Sequence, residues 1–276
     1  MNYDYKTYWE ERARSTITND DFKLGAICYF DMPKWFNAFF DYFQKKAFLD
    51  LVKIVGNVKR KEILEIGCGT GRFSKLVADN DIDVYGIDIS GEMLKYAKRN
   101  VLNGIFVRMS ATTLHFQNST FDLVLSATVL QHLPYCDQEK AIKEICRVTK
   151  KNGYIIILEL CDLEDRAKHV FPRTKEDWIM SFQKNGCNYI NSKNVEYVPL
   201  LKFSKILVSK ILNRSEKKKD LTDKGIPSGF SRNVLKHIYY FSLRISIYFS
   251  YPIEEFLYHL NLNKARHCAI IFRKSN

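Results

Sequence analysis

The sequence predicts an α/β fold with a doubly wound, mostly parallel sheet. The segment from Glu62 to Ser90 reads as a strand, a glycine-rich turn, a helix and a second strand that ends at Asp88. After Asp88, short apolar runs continue to alternate with stretches of helical spacing as far as Leu160. Strands that alternate with helices in this way favour βαβ units, which place parallel strands in one sheet.

The individual elements follow from local patterns. Aromatic residues from Tyr5 to Arg14 cluster on one side of a predicted helix, and Pro33 can begin a second helix whose apolar residues repeat through Val55. Ser90 can cap a helix that ends at Asn100. The remaining core elements are strands at Gly104–Met109 and Phe121–Ser126, a helix at Asp137–Thr149, a turn at Lys151–Gly153 and a strand at Tyr154–Leu160.

The glycine-rich turn carries the main functional signal. Gly67, Gly69 and Gly71 occupy alternate positions between the first strand and its helix. Glycine lets backbone N–H groups approach a ligand closely at the positive end of a helix. Asp88 follows Gly67 by 21 residues, about where a nucleotide-binding βαβ unit places an acid against ribose hydroxyls. The sequence therefore predicts a nucleoside-containing cofactor.

The spacing of the glycines distinguishes a dinucleotide from other nucleoside-containing cofactors. A dinucleotide site has the pattern G-x-G-x-x-G, but Arg72 stands at the position of its third glycine. The carboxylate of Glu65 beside the turn would repel a phosphate and favour a positively charged group. An acid followed by G-x-G-x-G resembles the first motif of the class I S-adenosylmethionine-dependent methyltransferases. This resemblance implies a Rossmann-like sheet of seven strands with the last one antiparallel, and S-adenosylmethionine as cofactor.

The resemblance extends from about Lys61 to Leu160 and implies roles for individual residues. The glycines, with Glu65 nearby, would hold the methionine part of the cofactor, and Asp88 would bind the ribose hydroxyls. Ser110 stands where the family more often has Asp, although its hydroxyl can still bond the adenine amino group. The predicted cofactor-binding residues are Glu65, Gly67, Cys68, Gly69, Gly71, Asp88, Ile89, Met109, Ser110 and Ala111.

His132 is the candidate catalytic base. It follows the fourth predicted strand, and open α/β sheets bind ligands at the carboxyl ends of their strands. Its imidazole could accept a proton from an acceptor hydroxyl or acidic carbon. A histidine in this loop resembles the quinone and sterol methyltransferases, a small-molecule branch of the family. The alternative is that His132 only caps or packs against the next helix.

The resemblance also divides the chain into regions. Residues 1–60 are predicted N-terminal helices that cover the cofactor site, 61–198 the core and 264–276 the closing strand. Beyond Leu160 the predicted elements are a helix at Arg173–Gly186 and strands at Cys187–Val198 and His267–Arg273. Residues 199–263 do not fit the minimal fold and are predicted to be a helical insertion that selects the acceptor.

The insertion is basic and aromatic. Residues 200–264 contain twelve Lys or Arg against five Asp or Glu, in a chain of net charge +12. An apolar run at Ile206–Leu212, a basic linker at Arg214–Lys219, a loop at Gly225–Gly229 and a helix at Val234–Tyr251 are predicted, and Pro252 is expected to begin another helix. Three interpretations remain open: a lid, a membrane-binding patch or a nucleic-acid surface.

Composition limits the remaining choices. The seven cysteines are scattered without C-x-x-C spacing, which argues for reduced thiols and against a metal site. No signal peptide or spanning segment is apparent, so a cytoplasmic protein is expected, with peripheral contact at the inner face of the membrane through residues 200–260 as an option.

The predicted function is methyl transfer to a small or lipophilic acceptor. An RNA methyltransferase and a non-catalytic cofactor-binding subunit are alternatives, and nucleic acid is less favoured because the N/D-P-P-Y tetrapeptide is missing after the fourth strand.

Overall fold

The computed structural model describes residues 3–16, 28–29, 32–57, 61–78, 84–164, 167–197, 199, 228–263 and 265–275. Two compact units are present, one comprising Met1–Val195 with Asn263–Asn276 and the other Glu196–Leu262. The predicted segments Ile206–Leu212 and Arg214–Lys219 lie outside the described residues. The first unit contains the sheet and the second contains one long helix.

The first unit alternates strands and helices along the chain. Its helices in chain order are α1 (Tyr5–Thr16), α2 (Lys34–Val55), α3 (Arg72–Ala78), α4 (Gly91–Asn100), α5 (Tyr135–Val148) and α6 (Lys175–Gln183). Its strands are β1 (Ile63–Ile66), β2 (Val84–Asp88), β3 (Gly104–Arg108), β4 (Phe121–Ala127), β5 (Thr149–Leu160), β6 (Cys187–Val195) and β7 (His267–Lys274).

The seven strands form one sheet in the order β3-β2-β1-β4-β5-β7-β6. β1 to β5 pair in parallel, whereas β7 runs antiparallel to both β5 and β6. The predicted Rossmann-like sheet with an antiparallel last strand is therefore confirmed. Successive strands move outward from β1 to β3 on one side and from β4 to β5 on the other, so strand order reverses between β1 and β4. Open α/β sheets bind ligands at this switch point.

Buried apolar residues line the central strands and the helix that packs against them. All four residues of β1 are buried, as are six of the eight residues of β7, which fits strands covered on both faces. Trp178 on α6 is fully buried and donates its indole N–H to Leu160 O at 3.2 Å. Phe182 stacks on Phe272 of β7 at 4.5 Å. These contacts pack α6 against β5 and β7.

Two local predictions differ from the structure. The predicted turn at Lys151–Gly153 lies inside β5, because β5 already begins at Thr149 and residues 150–153 oppose the single residue Asp122 of β4. Asn152 takes a left-handed φ of 60° there, which the bulged backbone requires. The predicted α5 helix also begins two residues earlier, at Tyr135, directly after Pro134.

The second unit contains α7 (Ser228–Leu260), which is continuous through Pro252. The expectation that Pro252 begins a new helix is wrong, and the predicted loop ends before Ser228. A proline inside a helix leaves the carbonyl four residues earlier without its usual donor. That carbonyl belongs to Tyr248, which is 74% exposed, so water can satisfy it. One stripe of α7 exposes Phe241, Ile245, Tyr248, Phe249, Ile253, Phe256 and Leu260.

Candidate active site

The glycine turn joins β1 to α3 in left-handed backbone conformations. φ is 62° at Gly67 and 82° at Gly71, values that residues with a side chain rarely adopt. A Cβ added to Gly67 would lie 2.3 Å from a methyl carbon of Val129, so glycine there lets the turn pack against the loop after β4. A Cβ at Gly71 would instead meet Val101 and Ala97 at 3.1–3.3 Å. Gly71 thus serves the packing of α4.

Asp88 connects the glycine turn to the end of β2. One carboxylate oxygen accepts the Gly69 N–H at 2.8 Å, and the other accepts the Ser90 N–H at 2.8 Å. The side chain is 9% exposed, and burial raises the pKa of Asp88 to about 6. Each carboxylate oxygen has a second lone pair, so Asp88 can still accept bonds from ligand hydroxyls.

Glu65 is the second buried acid near the turn. It is 2% exposed on the central strand, and the Ser74 hydroxyl donates to it. Burial raises the pKa of Glu65 to about 7, and the nearby positive charge of Arg72 partly opposes that effect. A carboxyl group held in this way is readily ionised by a cationic ligand.

Arg72 connects the turn to the N-terminal helices. Its guanidinium is 2.9 Å from Asp41 and 2.6 Å from Gln44, both on α2. Arg72 is 4% exposed, and the Asp41 carboxylate helps to raise its pKa above the usual value. Sequence spacing identified Arg72 only as the residue that breaks the dinucleotide pattern, because its partners lie about thirty residues earlier in the chain.

A cavity that is partly open to solvent lies over these residues at the carboxyl ends of the strands. Ten of the eleven residues singled out from the sequence line it, namely Glu65, Gly67, Cys68, Gly69, Asp88, Ile89, Met109, Ser110, Ala111 and His132. Gly71 is the one that does not.

Three residues in the cavity wall carry no charge: Met109 and Ser110 after β3, and Cys68 in the glycine turn. Ser110 shares a hydrogen bond of 2.8 Å with the Thr112 hydroxyl and also accepts the Thr112 N–H. Met109 accepts the His115 N–H through its sulfur at 3.4 Å. Cys68 is 2% exposed, and burial raises the pKa of its thiol well above the usual value. A protonated, buried thiol fits the role of a small packing residue.

Glu159 shapes the loop after β4. It is fully buried at the end of β5, and its carboxylate accepts the backbone N–H groups of Val129, Leu130 and Gln131 at 3.1–3.2 Å. Burial raises the pKa of Glu159 to about 7, while these bonds work in the opposite direction. No local sequence pattern pointed to Glu159, because its partners are 28–30 residues away along the chain.

His132 is held as a neutral imidazole in one orientation. Its Nδ1 lies 2.9 Å from the carbonyl oxygen of His169, so Nδ1 carries the proton that this bond requires. Its Nε2 lies 3.3 Å from the side-chain amide nitrogen of Gln131. Burial lowers the pKa of His132 to about 3, and the positive charge of Arg12 acts in the same direction. His132 therefore presents an unprotonated Nε2 at neutral pH.

The first helix supplies two wall residues that sequence analysis did not single out for the site. Tyr5 and Trp9 on α1 both line the cavity. The Trp9 ring contacts His132 edge to face at 4.9 Å. In the sequence, Tyr5 and Trp9 belong to the aromatic side of the first predicted helix. Ordinary core packing produces the same pattern, so it did not point to the site.

The site fits a cofactor with a cationic end and ribose hydroxyls better than one with a diphosphate. Glu65 is buried beside the turn, where its carboxylate would repel a phosphate, and Asp88 is placed to accept bonds from ribose hydroxyls. Residues 64–157 match the protein family described as "Methyltransferase domain". The chain carries a class I S-adenosylmethionine-dependent methyltransferase domain.

Curated relatives support this assignment for the core. Over 109 residues this methyltransferase domain is 35% identical to the demethylmenaquinone methyltransferase of Renibacterium salmoninarum. The aligned stretch covers 40% of this chain and 45% of that protein, so it spans less than half of the relative's length. An uncharacterized protein of Methanocaldococcus jannaschii is 28% identical over 246 residues, which is 86% of this chain and 85% of that one.

A solved structure matches the fold. The phosphoethanolamine N-methyltransferase 2 of Haemonchus contortus, in complex with S-adenosyl-L-methionine, superimposes with a TM-score of 0.52 at 19% identity. The match covers 83% of this chain and 52% of that one. Within the described ranges of the chain, no helix is long and apolar enough to cross a membrane, and no cluster of three or more His, Cys, Asp or Glu is placed to hold a metal ion.

Proposed function

We propose that this chain transfers a methyl group from S-adenosylmethionine to a small lipophilic acceptor. The observation that carries the proposal is one cavity in which the buried acids Glu65 and Asp88 face the His132 loop beneath the aromatic residues of α1. One side of this cavity suits the cofactor, and the apolar side suits an organic acceptor.

The residues around the cavity divide by chemistry. The backbone of the glycine turn and Glu65 would hold the amino-acid end of the cofactor, because ammonium groups favour carboxylates. Asp88 would accept bonds from the ribose hydroxyls. Ile89 and Met109 would enclose the adenine, and Ser110 and Ala111 would contact its edge.

S-adenosylmethionine, when bound, supplies an electrophilic methyl group on a sulfonium sulfur. The acceptor forms the new bond with its own lone pair while the carbon–sulfur bond breaks, and a protonated acceptor loses its proton. The chain contributes mainly positioning, which can account for several kcal/mol of rate acceleration. The Nε2 lone pair of His132 already accepts the Gln131 amide N–H, and a pKa of about 3 makes the imidazole a weak base. We propose that the fixed imidazole ring is a wall against which the acceptor is oriented.

A lipophilic acceptor is supported by the cavity lining and by one relative. Tyr5, Trp9 and Leu133 place apolar surface beside His132. The relative from Renibacterium is named for methylation of demethylmenaquinone, a quinone. A quinone-like acceptor is therefore the first class to test for this chain.

Peripheral membrane contact through residues 200–260 is a second part of the proposal. The exposed apolar stripe of α7 supports it, because aromatic and aliphatic side chains can insert into a lipid interface. Flotation with anionic vesicles at low salt tests this point. The double variant Phe241→Ser/Phe256→Ser should lose flotation, and wild-type protein that stays at the bottom of the gradient would contradict the proposal.

The activity test uses S-adenosylmethionine labelled in its methyl group. Purified protein is incubated with extract from cells that lack the gene, and the extract is then separated into lipid, small-molecule, RNA and protein fractions. Label is expected in the lipid or small-molecule fraction and should be absent with Asp88→Ala. Label in RNA would replace this acceptor class by nucleic acid, and cofactor binding without any label would indicate a non-catalytic subunit.

A further inference from the structure

A second cavity adjoins the first. The two cavities share Trp9, Thr128 and His132 as a common wall. The second cavity extends from this wall towards α1, the segment Cys28–Tyr29 and the beginning of β7. A molecule that enters it would meet the His132 loop on the side opposite the glycine turn. An acceptor whose apolar part lies beside Trp9 and His132 in the first cavity can extend into the second.

Two arginines give the described lining of the second cavity a positive charge. Arg12 and Arg266 both line it, together with three histidines. Among the described residues of its lining, none is Asp or Glu. Because His132 is neutral, the two guanidinium groups provide the fixed charge. Guanidinium groups bind carboxylates and phosphates with paired hydrogen bonds, which neutral acceptors cannot exploit.

Both arginines are held in place by aromatic rings and backbone groups. Arg12 lies over the Trp9 ring at 5.2 Å and donates to Tyr8 Oη at 3.0 Å and to Cys28 O at 2.9 Å. Arg266 lies over the Tyr29 ring at 5.0 Å, and burial lowers its pKa to about 10. A desolvated guanidinium gains more from an anionic partner than one in water does.

Tyr29 is itself fixed, so Arg266 does not rest on a loose segment. The buried side chain of Asn37 on α2 accepts the Tyr29 N–H at 2.9 Å and donates to Tyr29 O at 3.1 Å. The charged end of the cavity is therefore built before any ligand arrives. Preorganised charge of this kind selects a ligand as well as binding it.

We propose that the acceptor is amphipathic and carries a carboxylate or phosphate group, which Arg12 and Arg266 bind while its apolar part lies against Trp9 and His132. This inference rests on the proposed function, because it defines the acceptor of the same reaction. It narrows a quinone-like acceptor to one that carries a carboxylate or phosphate group.

The first test measures binding without turnover. Benzoate and phenyl phosphate are titrated into protein saturated with S-adenosylhomocysteine, with benzamide as the neutral probe of similar shape. The anions should bind at least tenfold more tightly than benzamide. Arg266→Met and Arg12→Met should each reduce anion affinity about tenfold or more, whereas Arg266→Lys should retain part of it. Arg14→Met is the control, because Arg14 is on the same helix but does not line the cavity.

The affinity for S-adenosylhomocysteine and the melting temperature are measured for every variant. Unchanged values show that the cofactor site and the fold survive, so that a loss of anion binding belongs to the second cavity. Equal affinity for benzoate and benzamide would overturn the inference. Anion binding that is unchanged in both Arg12→Met and Arg266→Met would also overturn the inference.

The second test examines the labelled product from cell extract. The product should bind to an anion-exchange resin, and loss of retention after phosphatase treatment would identify phosphate rather than carboxylate. Label that elutes as a neutral compound would overturn the inference but leave the proposed methyl transfer intact. No labelled product at all would count against methyl transfer, and the benzoate titration would still decide the charge preference of the cavity.

Discussion

The side-chain amide nitrogen of Gln131 lies 3.3 Å from Nε2 of His132, while the amide oxygen of the same residue accepts the Leu160 N–H at 2.7 Å. The second bond fixes which end of the amide faces the imidazole. Gln131 therefore donates to Nε2, and the Nδ1–H of His132 donates to His169 O at 2.9 Å. Both bonds favour the neutral imidazole with its proton on Nδ1.

Gln131→Glu should raise the pKa of His132. The substitution places a carboxylate beside Nε2, and a nearby negative charge favours the protonated imidazole by on the order of 1–3 pKa units. The pKa should therefore move upward from about 3. An NMR titration of 13C-labelled histidine measures it, with Gln117→Glu as an exposed control that adds the same charge. A His132 resonance that titrates at the wild-type pH would contradict the assigned bond.

Asp88→Ala should weaken cofactor binding by about 1–3 kcal/mol, because it removes charge-assisted hydrogen bonds. The loss includes the anchor of the Gly69 N–H, so the glycine turn is expected to loosen as well. Calorimetric titration with S-adenosylhomocysteine gives the affinity. Asp50→Ala is the matched control, because Asp50 lies on α2, pairs with the exposed Lys53 and is absent from the described lining of the cavity. Equal affinity in both variants would remove Asp88 from the cofactor site.

Cofactor affinity should rise with pH between about 5 and 8. In the free protein, burial raises the pKa of Asp88 to about 6 and of Glu65 to about 7, so both acids are largely protonated at pH 5. A cationic cofactor favours the ionised carboxylates, so binding releases protons below these pKa values. For each acid the affinity should change by up to about tenfold per pH unit. Titrations in two buffers of different ionisation enthalpy count the released protons, and no release at pH 5.5 would contradict the prediction.

Much of the sheet could be predicted from the sequence, because buried strands and glycine turns leave local patterns. Neighbouring residues alone were enough to predict several features. These are the strands that begin near Glu62 and Tyr154, the helix cap at Ser90 and the position of Asp88 at the end of a strand. Ser90 accepts the Met93 N–H at 3.2 Å, which confirms the cap.

The partners of the site could not be predicted in the same way, because tertiary contacts join distant parts of the chain. Glu159 meets the His132 loop only after β4 and β5 have paired. Arg12 and Arg266 line one cavity although 253 residues separate them. Pro252 was misread because its sequence position does not reveal that the affected carbonyl is at an exposed residue.

Arg72→Met should destabilise the fold by about 3 kcal/mol, near the lower limit for breaking a buried ion pair. The lower limit applies because Asp41 keeps a second partner in Lys45 at 2.7 Å. Urea denaturation measures the free energy of unfolding. Lys53→Met is the control, since its side chain is 75% exposed and an exposed pair contributes only about 0–1 kcal/mol. Similar losses in the two variants would show that Arg72 does not anchor α2.

Gly67→Ala should destabilise the protein through two separable effects. The left-handed φ of 62° disfavours any side chain by about 1 kcal/mol. The new Cβ would also lie 2.3 Å from a Val129 methyl carbon, a clash that one of the chains must move to relieve. Gly186→Ala is the control, because its φ is 74° and an added Cβ would meet only the flexible end of Lys274, at 3.4 Å. The loss in Gly67→Ala should therefore exceed that in Gly186→Ala when both are measured by urea denaturation. Val129→Ala removes the two methyl carbons nearest the clash, so it should reduce the effect of Gly67→Ala in a double-variant cycle. Additive losses would mean that the turn and the loop after β4 are not in contact.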